Sequence, residues 1–94
     1  MIKREVQLLN KTGLHARPAS EFVKRAAAFK SSIFIEFNDM TINAKSIVGL
    51  LSAGIGYESR IIIAADGPDE EAAVDTLASL VESKFGESLI GIFF

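Results

Sequence analysis

The hydrophobic positions change period along the chain, and each change marks an element. From Ile2 to Leu9 they alternate, with Ile2, Val6 and Leu8 on one face and Lys3, Glu5 and Gln7 on the other, which predicts a half-buried strand. From Ala16 to Lys30 they fall at Ala19, Phe22, Val23 and Ala26, the stripe of an amphipathic helix, with Lys24 and Arg25 lying off it. Ile33, Phe34, Ile35 and Phe37 predict a second strand and Met40 to Asn43 a third. Asn38-Asp39 between them tolerates positive φ and predicts a hairpin. In N-A-K-S-I-V-G-L-L-S-A-G, Asn43 or Ser46 caps a short helix whose apolar residues are Ile47, Val48, Leu50 and Leu51, and Gly54 suits the position just past its end. Ser59 to Ala65 is a fourth strand, rich in β-branched residues. A third helix follows, with Pro68 in its first turn, Asp69, Glu70 and Glu71 complementing its N-terminal dipole, and a stripe of Val74, Leu77, Ala78, Val81 and Phe85 ending at Gly86.

The order β-α-β-β-α-β-α predicts an α+β fold, an antiparallel sheet with three helices on one face. Ninety-four residues are expected to form one domain, 1–94, with 86–94 an apolar C-terminal extension that packs on the core, adds an edge strand or mediates self-association. The absence of cysteine suits a reducing compartment and leaves no thiolate metal site. The N-terminal stretch, with Glu5 inside its apolar run, does not read as a signal peptide. The longest apolar run, Ile61 to Ala65, is too short to span a bilayer, so a cytoplasmic location without membrane insertion is expected.

Charge sharpens this picture. The net charge is −2, which gives no reason to expect a nucleic-acid partner. Residues 1–30, however, carry seven basic side chains against Glu5 and Glu21, whereas residues 31–94 carry three against ten acids. Basic side chains also solvate ordinary helix faces, so the asymmetry supports a site without defining one.

The only histidine, His15, lies in T-G-L-H-A-R-P-A-S, at the junction between the first strand and the first helix. Pro18 fits the first helical turn, where its missing N–H costs nothing, and the helix starts at Ala16 or Pro18. The first amides of a helix lack internal acceptors and carry positive potential, which, with Arg17, disfavours an imidazolium and leaves a nucleophilic ring nitrogen. A phosphoryl group on that nitrogen would find free amides and the Arg17 guanidinium, and Thr12 and Gly13 let the loop curl towards it. General-base catalysis is a poorer reading, because no nucleophile or orienting carboxylate is near in sequence, and a metal site is poorer still.

T-G-L-H-A-R-P-A, then N-A-K-S-I-V-G-L-L-S-A-G-I, then A-D-G-P-D-E-E-A-A resemble the histidine-containing phosphocarrier (HPr) family of the bacterial phosphoenolpyruvate-dependent sugar phosphotransferase system, over about residues 2–86. The resemblance implies an open-faced β-sandwich with sheet order 1-4-2-3. It implies that His15 accepts a phosphoryl group on Nδ1 from phosphorylated enzyme I and passes it to the IIA domain of a sugar permease. Arg17 and the amides of Ala16 and Arg17 would hold the group, with Thr12 beside them. Ser46 matches the serine modified by an HPr kinase/phosphorylase in many Gram-positive-type members, and Ser20, Lys24, Ile47, Val48 and Leu51 would form the docking surface. Val48 stands where members commonly carry methionine or phenylalanine. On this resemblance the chain is a co-substrate protein rather than a turnover enzyme, needs no cofactor, and is expected to be a monomer. A regulatory module that binds catabolite control protein A through phosphorylated Ser46 is the second reading. A carrier for a nitrogen or dihydroxyacetone branch is the third.

Overall fold

A computed structural model describes residues 1–86; the apolar extension beyond Gly86 lies outside them. The elements are β1 (Ile2–Gln7), α1 (Ala16–Ala27), β2 (Ser32–Phe37), β3 (Met40–Asn43), α2 (Ile47–Ser52), β4 (Arg60–Asp66), α3 (Glu70–Glu82) and a closing 3-10 turn, Lys84–Gly86. The four strands form one antiparallel sheet in the order β1-β4-β2-β3, an open-faced sandwich with its helices on one side.

Alternation explains which face is covered. Val6 from β1, Ile33 and Ile35 from β2, Ile42 from β3, and Ile61, Ile63 and Ala65 from β4 are buried. They meet Ala19, Phe22 and Ala26 of α1, Leu50 of α2, and Ala73, Val74, Leu77, Ala78 and Val81 of α3 in one continuous core. The other face sets Phe34, Ile62 and Ala64 among charged residues that pair across strands: Lys3 Nζ lies 2.8 Å from Glu36 Oε2, and Arg60 lies 3.8 Å from Glu5. Ile35 opposite Ile42 and Phe37 opposite Met40 set the β2–β3 register, and Asn38 and Asp39 both take positive φ in the two-residue turn expected there.

Several boundaries differ from the sequence pattern. β1 ends at Gln7, although Leu8 still exchanges backbone hydrogen bonds with residues 58 and 59. The helix α1 ends at Ala27, three residues short of Lys30. Pro68 lies ahead of α3, because Asp69, expected inside the first turn, occupies the N-cap position. Phe85 is buried as its place in the apolar stripe requires, but not on α3: Lys84 and Phe85 adopt positive φ and fold the chain back under the helix.

Asp69 does not cap α3 with its side chain. Its carboxylate instead accepts hydrogen bonds from the Ser31 hydroxyl at 2.5 Å and from the amides of Lys30 and Ser31 at 2.9 Å, tying the α1–β2 loop to the start of α3. Those donors, the Ser31 hydroxyl foremost and the Lys30 amide next, hold its pKa at about 2, below its ordinary value of 3.8. A depressed carboxylate contributes stability above the unfolded-state pKa and loses it as pH falls through the folded value. The stability gap between the wild type and Asp69→Asn is therefore expected to be full above about pH 4 and to close towards pH 2. Thermal melts of both chains across that range measure it, and a gap that does not change with pH contradicts it.

Candidate functional site

The loop between β1 and α1 owes its shape to one buried polar residue and one glycine. Asn10, 1% exposed, donates from Nδ2 to the Gly13 carbonyl at 2.7 Å and to the Thr12 hydroxyl at 3.2 Å, while its own carbonyl accepts from the Gly13 amide at 3.0 Å. Gly13 takes φ +60°, and its α-carbon presses on the backbone of the loop after α2: a side-chain carbon there would sit 2.6 Å from Gly56 Cα and 2.8 Å from the Ile55 carbonyl. The Leu14 amide donates to that same Ile55 carbonyl at 2.9 Å, and Leu14 and Ile55 are both buried. Nearby, Lys11 Nζ stands 4.4 Å above the Tyr57 ring.

This clamp delivers His15 to the N-cap of α1. Its backbone is extended there, with φ −74° and ψ −176°, and its carbonyl accepts the Ala19 amide at 2.9 Å. The imidazole is exposed and makes no capping hydrogen bond, so the side chain is left to solvent. The helix starts at Ala16, the earlier of the two starts compatible with Pro18, which is buried in the first turn. Ala16 and Arg17 thus present amides with no intrahelical acceptor beside His15, and no acid occupies the first turn.

Arg17 is more engaged than its sequence position suggests. Its Nη1 donates to Glu21 Oε1 at 2.7 Å, one turn further along α1, and to the Phe85 carbonyl at 3.3 Å. Sequence reading singled out neither acceptor. The i, i+4 spacing of Arg17 and Glu21 is the signal that would have found the first. Nothing in the sequence marks the second, which depends on the turn after α3. Asn10 was likewise missed, its only signal being a turn-forming residue just after a strand.

Residues from the second helix come to the same side. α1 and α2 are in contact, and α2 leaves Val48 70% and Leu51 45% exposed while Ile47 is half-covered and Leu50 fully buried. Ser20 of α1 is half-buried and Lys24 exposed. At the start of α2, Ser46 is the N-cap, its Oγ accepting the Gly49 amide at 3.1 Å; Asn43, the other candidate cap, accepts the Lys45 amide one turn earlier. Among the described residues no three His, Cys, Asp or Glu side chains gather as metal ligands, and no helix is long and apolar enough to cross a membrane.

The site is one exposed histidine at a helix start on an open-faced four-stranded sandwich. Residues 2–83 match the family model described as the PTS HPr component phosphorylation site. The HPr-like protein Crh of Halalkalibacterium halodurans is 44% identical over 89% of this chain and 100% of its own, and the phosphocarrier protein HPr of Cupriavidus necator is 37% identical over 93% and 98%. Among solved structures, HPr-C-His from Thermoanaerobacter tengcongensis superposes with a TM-score of 0.92 at 46% identity, covering 95% of this chain and 100% of that one. The chain belongs to the HPr family, the phosphocarriers of the phosphotransferase system. The crystal structure of Bacillus subtilis Crh (39% identity, TM-score 0.72, 89% of this chain and 97% of that one) is described as a dimer with swapped domains, which stands against treating the expected monomer as a family rule.

Proposed function

We propose that this chain accepts a phosphoryl group on Nδ1 of His15 from phosphorylated enzyme I and delivers it to the IIA domain of a sugar permease. The observation that carries the reading is the exposed imidazole of the sole histidine, unused by its own N-cap position and set beside the first amides of α1. The Nδ1 lone pair forms the new N–P bond while the donor's bond to phosphorus breaks and its electron pair stays with the donor. The product dianion lies against the Ala16 and Arg17 amides, with Thr12 at its edge and the Arg17 guanidinium within reach. A group that must leave again is better held by a few exposed donors than by many. Ser20, Lys24, Ile47, Val48 and Leu51 form the face on which partners dock, with Val48 and Leu51 its apolar centre. Incubation with phosphoenolpyruvate and enzyme I, followed by intact-mass spectrometry, tests the reading; a chain left unmodified by an enzyme I that loads another carrier refutes it.

Ser46 supports a second, compatible role. The relatives include Crh proteins, one of them described as the catabolite repression HPr, and Ser46 sits half-exposed two residues from Val48. Phosphorylation there by an HPr kinase/phosphorylase keeps the capping geometry, because an anion at a helix start is favourable, and sets negative charge inside the docking face. Ser46→Asp is expected to keep the wild-type melting temperature within a few degrees and to raise the KM for this carrier in enzyme I assays by roughly tenfold, the scale of a rim charge placed against a partner. Unchanged enzyme I kinetics would count against it.

A further inference from the structure

We infer that Glu21 is a positioning residue that loosens this carrier's hold on its phosphoryl group by competing for Arg17. The inference rests on His15 being the phosphoryl acceptor. Arg17 Nη1 donates to the Glu21 carboxylate at 2.7 Å and to the Phe85 carbonyl at 3.3 Å. Glu21 lies one helical turn beyond Arg17, whereas His15 lies before it at the N-cap, so carboxylate and phosphoryl pull the guanidinium in opposite directions along α1. Glu21 is also the only acid on α1, whose first turn is free of them.

Both consequences of the pair have the same sign. The carboxylate draws the guanidinium down the helix, and it cancels part of the positive charge that a dianion on His15 would meet. The amides of Ala16 and Arg17 keep their places whatever Glu21 does, so the carboxylate tunes the hold without dismantling the cradle. A carrier tuned this way gives up its phosphoryl group more readily than one whose arginine is uncommitted. Because the two side chains are 56% and 39% exposed, water screens the pair and the tuning amounts to about two- to fivefold.

A competition in one tube reads this directly. Isotopically labelled wild type and unlabelled Glu21→Gln are mixed with catalytic enzyme I and limiting phosphoenolpyruvate until the phosphoryl groups equilibrate. Each exchange breaks one N–P bond and forms another, so the shares found by intact mass report relative hold alone. Glu21→Gln is expected to carry about two- to fivefold more phosphoryl than the wild type. The same comparison between Arg17→Ala and Arg17→Ala/Glu21→Gln is expected to give near-equal shares, which a merely structural role for Glu21 would not produce. Equal shares in the first tube overturn the inference, and so does an excess on the wild type, which would mean that Glu21 presents Arg17 to the phosphoryl group. An undiminished bias without Arg17 overturns it as well, since the carboxylate would then act on the dianion directly. If the wild type takes up no phosphoryl group at all, the carrier reading falls and this inference with it; loaded chains with equal shares remove the inference alone.

Discussion

With enzyme I and phosphoenolpyruvate, the wild type is expected to gain one acid-labile phosphoryl group and His15→Ala none. The loss is complete rather than partial because the chain has no second imidazole to take over. It is also local. The His15 side chain is exposed and makes no capping bond, so its removal leaves the N-cap carbonyl bonded to Ala19 and the buried Leu14 and Pro18 on either side in place. The variant is expected to melt within a degree or two of the wild type, as exposed substitutions usually do. That pairing of lost phosphorylation with unchanged melting separates an acceptor from a residue the fold needs. A phosphorylated His15→Ala chain would move the acceptor to a hydroxyl, with Ser46 the first to examine, and its modification would then be stable in acid.

Gly13→Ala is expected to destabilise the chain strongly. The added carbon would meet Gly56 Cα at 2.6 Å and the Ile55 carbonyl at 2.8 Å, and both obstacles are backbone that cannot swing aside as a flexible side chain would. The positive φ of 60° adds its own cost for any residue with a side chain. Together these predict a loss of about 2–5 kcal/mol, from roughly 1–2 for the left-handed backbone and 1–3 for overpacking. Denaturant unfolding measures it. Because the Leu14 amide and the Gly13 carbonyl are both tied down within this contact, relief of the clash is expected to shift the loop that leads into His15. Phosphoryl acceptance is therefore expected to fall even where the variant is folded. A loss below about 1 kcal/mol with normal phosphorylation would show that residues 54–57 yield and that the clamp is soft.

How much of this was legible in the sequence follows from the range of the forces involved. Alternation in β1 to β4 and the stripes of α1 and α3 are local patterns, and they placed the elements to within a few residues. The position of His15 was legible for the same reason: a strand that ends and a helix whose start Pro18 limits to Ala16 or Pro18 put it within a residue or two of the helix N-terminus. What stayed hidden lies between segments distant in sequence. Asp69 reads as an acid complementing a helix dipole, yet its carboxylate serves Lys30 and Ser31, and that partnership is visible only once the sheet brings the two loops together. The same holds for Phe85, whose carbonyl reaches Arg17 because two residues adopt a conformation that apolar periodicity cannot encode. Ser46 and Asn43 were both plausible caps of α2, and the structure gives them consecutive turns rather than the same one. The docking face was half legible: four apolar residues in a six-residue helix cannot all be buried, but which of them face outward depends on how α2 lies against α1.

The strand order has a consequence for how such a chain comes into being. β4 is the last of the described strands to be synthesised, yet it lies between β1 and β2, so the sheet has no centre until residue 66 has been made. The carrier loop, encoded by the first fifteen residues, is pressed into shape by residues 54–57 just before that strand. A nascent or truncated chain ending short of residue 54 therefore carries the complete T-G-L-H-A-R-P segment without the residues that clamp its conformation. Contacts of such long sequence separation slow folding.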